Sequence, residues 1–149
     1  MGLIDDLDSG PAALDTAIFI YFIEEDPQFL QILKPLFTAM DQGSFQAVTS
    51  ALTLLEVLVA PYRAGNSPLA ERYEALLTRS RGLRLVDIDR SLLRSAAQLR
   101  ATVRLKPPDA IQVVAALATG CRVFLTSDRK IRTVPGLQIL QLRDYLPAV

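Results

Sequence analysis

Short β-prone apolar runs alternating with longer helical ones predict an α/β fold, a three-layer α/β/α arrangement around a mostly parallel, five-stranded central sheet. Three observations carry this expectation. Five strand candidates are separated mainly by helical segments. The run from Arg122 to Leu125 is short, apolar and unalternating, as a strand buried on both faces should be. The chain of 149 residues is 50% hydrophobic and 21% charged, which excludes a disordered polymer and predicts one domain over residues 1–149 with one packed core.

The elements follow in order. Residues 1–10 are polar and read as a loose lead-in. Residues 12–14 form the first strand, and Asp15 leads into a helix over 16–24. A second helix spans 28–41, with Pro35 expected to kink or split it. Residues 45–49 are β-prone and lead into a mostly buried helix over 50–63, apolar at Leu52, Leu54, Leu55, Leu58 and Val59. Asn66 caps the next helix, with Pro68 in its first turn, and that helix runs to about Arg79. Residues 83–88 alternate as a strand should, and Asp89 caps a helix over 91–105. Pro107 and Pro108 announce a helix over 109–119, stopped by Gly120. Residues 122–125 and 138–142 complete the strands, the last after the turn-prone Val134, Pro135 and Gly136.

Composition narrows the chemistry. There is no histidine, which removes serine–histidine and cysteine–histidine hydrolases, histidine general bases and His-ligated metal centres. The lone Cys121 makes no internal disulfide and points to a reducing compartment. No apolar run approaches the roughly 18 residues of a membrane helix. The first residues lack the basic stretch of a signal peptide, and Asp6 stands where a myristoylation signal has Ser or Thr, so a cytoplasmic location is expected. The net charge of zero conceals a strong asymmetry: residues 1–78 hold 11 acids and 3 bases, whereas residues 79–106 hold 2 acids and 8 bases. That basic block is either a solvated surface or a phosphate-contacting rim.

Four acids stand in unexpected company. Asp15 ends the first strand. Glu56 is the one charged residue between Gln42 and Tyr62, within an apolar helix. Asp109 opens another apolar helix, and Asp128 follows the strand that ends near Leu125. Singly, each has an ordinary explanation as a helix cap or an ion-pair partner. Jointly they point elsewhere, because the C-terminal strand ends of a doubly wound sheet share one edge, and ligands bind there where strand order reverses. If strands one and four are neighbours at that reversal, Asp15 and Asp128 meet, and the flanking helices bring Glu56 and Asp109 alongside.

Four clustered carboxylates repel one another and take up protons unless a cation intervenes. An all-oxygen site suits Mg²⁺ or Mn²⁺, one ion or two, and disfavours zinc. The chemistry that follows is metal-assisted phosphodiester hydrolysis, which needs no histidine. Phosphates approach such a cluster only past cations, and Arg104, Lys106, Arg129 and Lys130 are the phosphate-contact candidates nearest in sequence to Asp109 and Asp128.

At these residues the sequence resembles the PIN-domain family, in particular its small toxin ribonucleases of the VapC type. The segment Leu14–Ile20, with Asp15 and Thr16, resembles the first family motif, Thr49–Leu58, with Glu56 inside an apolar helix, the second, Pro108–Ala116, with Asp109, the third, and Phe124–Asp128 the fourth. The resemblance implies a PIN-like fold and an acidic metal site of Asp15, Glu56, Asp109 and Asp128, which would be both catalytic and metal-ligating. Thr16, Thr126 and Ser127 would supply supporting hydrogen bonds. It further implies a homodimer and a small antitoxin whose C-terminal segment crosses the active groove. Two departures stand out: Ser127 replaces the asparagine common in the fourth motif, and Lys130 stands where many members carry a further acid. A second reading is therefore a catalytically silent member that holds RNA or a protein in the same groove. A phosphoacceptor receiver domain fits poorly, because the pair Asp5 and Asp6 precedes the first strand instead of ending it.

Overall fold

The computed structural model describes residues 2–8, 10–131 and 133–148. Five short strands make one all-parallel sheet: β1 (Ala12–Leu14), β2 (Ala47–Ser50), β3 (Leu83–Val86), β4 (Val123–Thr126) and β5 (Gln138–Gln141). Their order is β3-β2-β1-β4-β5, so the chain builds outward from β1 in one direction and then restarts on its other side. The reversal of strand order therefore lies between β1 and β4, as the placement of Asp15 and Asp128 requires.

Among the described residues seven helices surround the sheet: α1 (Leu3–Leu7), α2 (Thr16–Ile23), α3 (Leu30–Asp41), α4 (Leu52–Arg63), α5 (Ser67–Arg79), α6 (Arg90–Arg100) and α7 (Pro107–Ala118). A 3₁₀ turn, Leu142–Tyr145, follows β5. Side-chain alternation along β1 sorts the core into two layers. Ala12 and Leu14 join Phe19, Leu33, Leu36 and Tyr73 on the face covered by α2 to α5, whereas Ala13 packs with Val48, Val113, Ala116 and Phe124 beneath α7. Helix α6 lies on α7, through Leu92 and Ala96 against Ala110 and Val114. No described helix is long and apolar enough to cross a membrane.

The strands and helices fall close to their expected places, with four corrections. The expected loose lead-in contains α1: Leu3 and Leu7, spaced i and i+4, are buried in the same core as α3, and Tyr145 donates a hydrogen bond to Asp6 at 2.5 Å. Met1 and Ser9 of that segment lie outside the described residues. Helix α3 runs unbroken through Pro35, because Leu33, Leu36, Phe37 and Met40 bury one continuous face on both sides of it. Helix α4 is not mostly buried: Leu55, Val59 and Tyr62 form an exposed stripe (62%, 41% and 62%). A helix apolar on every side does not reveal which face turns inward.

The fourth difference shapes the site. Helix α6 stops at Arg100 instead of continuing to residue 105; its last turn tightens as the Leu99 carbonyl accepts both the Val103 N–H, at 2.8 Å, and, in an i to i−3 bond, the Thr102 N–H, at 3.1 Å. The Arg100 Nε then donates to the Leu105 carbonyl at 2.8 Å, which ties down a loop over residues 101–106. One glycine is dictated by packing. A Cβ on Gly82 would stand 2.5 Å from the carbonyl oxygens of both Met40 and Phe45, so no other residue fits without backbone movement.

Candidate active site

The site begins where β1 ends. Strand β1 pairs with β2 only through Ala12 and Ala13, while β2 continues to Ser50 and β4 to Thr126, leaving a notch at the C-terminal edge of the sheet. Asp15 fills one side of it. Its backbone N–H reaches the Leu125 carbonyl at 3.0 Å, and its side chain caps α2 by accepting the Thr16 N–H at 2.7 Å. The other carboxylate oxygen accepts the Thr126 hydroxyl at 2.6 Å. Thr126 in turn accepts the backbone N–H of Asp128 at 3.0 Å, so one hydroxyl connects the two strand-end acids.

The helices deliver the other two acids. Glu56 lies on the solvent side of α4, which corrects the expectation that its helix face is buried, and its Oε1 accepts the Thr16 hydroxyl at 2.6 Å. Asp109 stands in the first turn of α7, where Pro107 and Pro108 start the helix and free N–H groups favour a negative charge. Ser127 has no bond to the acids: Tyr21 donates to it at 3.4 Å.

Burial and mutual charge couple the acids electrostatically. Asp15 is raised above the ordinary carboxylate range, chiefly by burial; the hydrogen bonds from Thr126 and Thr16 oppose the rise, and the charge of Asp128 adds to it. Asp109 is pushed up to about 6, first by burial and then by the charges of Asp15 and Asp128, with Lys106 opposing and Glu56 contributing. The charges of Asp15, Glu56 and Asp128 therefore all act on Asp109. The donor chemistry, all oxygen and mutually repulsive, fits a hard dication. The coordination geometry is not assembled, since no group of three or more acid or thiol side chains among the described residues is placed to hold a metal ion.

Beneath the acids lies a network that sequence reasoning missed. Gln112, one turn along α7 from Asp109, is 3% exposed. Its Oε1 accepts the Ser50 N–H at 3.1 Å and the Thr49 hydroxyl at 3.4 Å, and its amide donates to Thr53 at 2.8 Å and Thr16 at 3.4 Å. Thr49 also donates to the Leu14 carbonyl at 3.0 Å. The available signal was a lone amide within the run Ile111 to Ala116, where a buried polar group implies partners.

Of the basic candidates, Arg104, Lys106 and Lys130 line one cavity of about 450 Å³ together with Asp109. Arg129 lines a separate depression with Gln141 and Arg143. Arg100 of the basic block lines the same cavity as Asp109, whereas Arg79 lies against the groove between α4 and α5.

Comparison with known proteins agrees with this fold. The sequence model of the PIN domain matches residues 12–137. No curated protein matches the chain. Among solved structures, a toxin–antitoxin complex from Klebsiella pneumoniae is similar at 21% identity and a TM-score of 0.66, covering 88% of this chain and 97% of that one. DNA-bound VapBC from Salmonella typhimurium is similar at 24% identity and 0.62, again over 88% and 97%. VapC20 from Mycobacterium tuberculosis, a sarcin–ricin loop cleaving toxin, is similar at 16% identity and 0.61, over 76% and 86%.

Proposed function

The chain belongs to the PIN-domain family, and on that premise we propose that it is a metal-dependent endoribonuclease, the toxin of a toxin–antitoxin pair. The observation that supports this reading is that the charges of Asp15, Glu56 and Asp128, from distant parts of the chain, all act on Asp109, with Asp15 and Asp128 following the two strands at the reversal of strand order. These four would hold Mg²⁺ or Mn²⁺, one ion or two. When bound, the dication lowers the pKa of a water and stabilises charge on the scissile phosphate.

The chain's own groups orient that centre. Thr126 fixes one oxygen of Asp15 and the turn before Asp128, and Thr16 fixes both Asp15 and Glu56. Arg104, Lys106 and Lys130 offset the negative crevice for an approaching phosphate. An antitoxin partner is in keeping with the toxin–antitoxin complexes of similar fold, and a homodimer with the family resemblance. A cytoplasmic location fits the buried free thiol of Cys121 and an RNA substrate.

Cleavage of RNA that requires Mg²⁺ or Mn²⁺ and is lost in Asp15→Asn and Asp109→Asn is the expected result; undiminished cleavage by both variants refutes it. A second reading, a silent member that binds RNA or a protein in this groove, is favoured by Lys130 and Ser127 standing at motif positions of other character. It predicts that calorimetry detects no Mn²⁺ binding at millimolar concentration, and an isotherm abolished by removing the acids excludes it.

A further inference from the structure

The cavity beside Asp109 opens between the loop joining α6 to α7 and the loop after β4, and its volume of about 450 Å³ lies within the range of about 300–1,000 Å³ common to small-ligand sites. Two chemistries meet in it. Val103, Leu105 and the buried Ile131 form an apolar floor. Arg100, Arg104, Lys106 and Lys130 stand around that floor, and Asp109 is the one acid among the described lining residues.

The wall is built in place by hydrogen bonds. Val103 N–H bonds to the Leu99 carbonyl at 2.8 Å, Arg100 Nε holds the Leu105 carbonyl at 2.8 Å, and the Lys106 carbonyl accepts the Ala110 N–H at 2.9 Å as α7 begins. Arg104 and Lys106 are thereby presented from a fixed loop.

We propose that this cavity is a nucleotide subsite of the substrate groove: one base, unstacked from a single strand, lies on Val103, Leu105 and Ile131, and its phosphates contact Arg104, Lys106 and Lys130. Charge and shape together select this occupant. A bare phosphate would leave the apolar floor uncovered, and an apolar ligand would force four cations to give up solvation without a partner. A nucleotide satisfies both, with an apolar ring face joined to an anion. The neighbouring phosphodiester would then lie toward Asp109 and the other acids. Because a base reaches such a cavity only when splayed from its stack, the substrate it admits is a single strand or loop and not a duplex.

This inference rests on the nuclease reading for its RNA but is tested apart from it. Metal-free wild-type protein is titrated with 5′-AMP, 5′-UMP and ribose 5-phosphate while backbone amide resonances are followed. Saturable binding of both nucleotides, with shifts centred on residues 103–106 and 130–131, is expected, and ribose 5-phosphate should bind at least tenfold more weakly. Val103→Trp, which fills the cavity, and the exposed double change Arg104→Ala with Lys130→Ala should each weaken nucleotide binding about tenfold or more. Absent nucleotide binding, equal binding of ribose 5-phosphate, equal binding of an oligoglutamate peptide, or folded variants that bind as wild type would each overturn the subsite, even if the protein cleaves RNA. Localised nucleotide binding without any RNA cleavage would uphold the subsite while removing the nuclease.

Discussion

Replacing Asp109 with Asn is expected to stabilise the metal-free fold. The carboxyl is held at about 6 against 3.8 in an unpaired setting, so the native state binds its proton more tightly than the unfolded chain does. The stability this contributes is complete below about pH 4 and is lost as pH rises through about 6. At 1.36 kcal/mol per unit, a gap of about two units corresponds to about 3 kcal/mol. Asp109 is only partly buried, and solvent screening reduces the figure to about 1–2 kcal/mol. The neutral amide also gives up some attraction to the N-terminus of α7, about 0.3–1 kcal/mol, leaving a net gain of about 1 kcal/mol at pH 8. For a chain of this length that raises the melting temperature by about 2–4 °C. Thermal unfolding in a chelator, at pH 4.5 and pH 8 to avoid the isoelectric point near 6.2, reads the effect. The variant should exceed wild type at pH 8, with the advantage shrinking or vanishing at pH 4.5. Millimolar Mg²⁺ or Mn²⁺ should then raise wild type and leave the variant nearly unmoved, because only wild type retains the full acid set. A variant that melts at or below wild type at pH 8 in chelator would refute the claim that burial, reinforced by the charges of Asp15 and Asp128, makes the ionised Asp109 carboxylate costly in the fold.

Other substitutions probe the parts separately. Gln112→Leu removes the partner of the buried Ser50 N–H while leaving the threonine hydroxyls bonded to one another and to Glu56, so denaturant unfolding should show a loss of about 1–3 kcal/mol. Gly82→Ala places a methyl against two backbone carbonyls and should cost about 2–3 kcal/mol by the same measurement. Thr126→Val removes a hydrogen bond that lowers the Asp15 pKa, so titration by carbon-13 NMR should find Asp15 shifted further upward than in wild type.

Much of the fold was legible because period and punctuation agree. Asn66 with Pro68, Asp89, and Pro107 with Pro108 mark helix starts by local backbone chemistry, and the structure places helices at each. The position of the acids was legible for a topological reason: a strand-end aspartate is committed to one sheet edge whatever the loops do. What escaped was information that two faces share. Leu3 and Leu7 are too few for a period, yet two apolar contacts seat α1 on the core. Thr102 and Val103 carry no stop signal, and the bond from the Arg100 side chain to the Leu105 carbonyl that holds the loop after α6 leaves no mark in the local sequence. The outward stripe on α4 was unreadable because Leu55 and Leu58 are the same residue type with opposite exposure, one at 62% and the other at 9%.

The shortness of β1 explains why an acidic crevice can exist at this edge. Parallel strands normally satisfy each other's backbone groups, and a strand of three residues between longer neighbours leaves some of theirs without a ladder partner. On the β4 side the backbone of Asp15 supplies the missing bond to Leu125. On the β2 side no backbone is present, and side chains substitute: Gln112 takes the Ser50 N–H and Thr49 takes the Leu14 carbonyl. The two halves of the site thus differ in kind. The carboxylate of Asp15 is an addition to a backbone bond that any residue would make, whereas the amide of Gln112 is itself the completion of the sheet. Asp15→Asn should consequently leave the fold intact, since its main-chain bond is untouched and an amide oxygen still accepts from Thr16 or Thr126. A variant at Asp15 that unfolds would show that the acid, and not the strand end beneath it, holds the notch together.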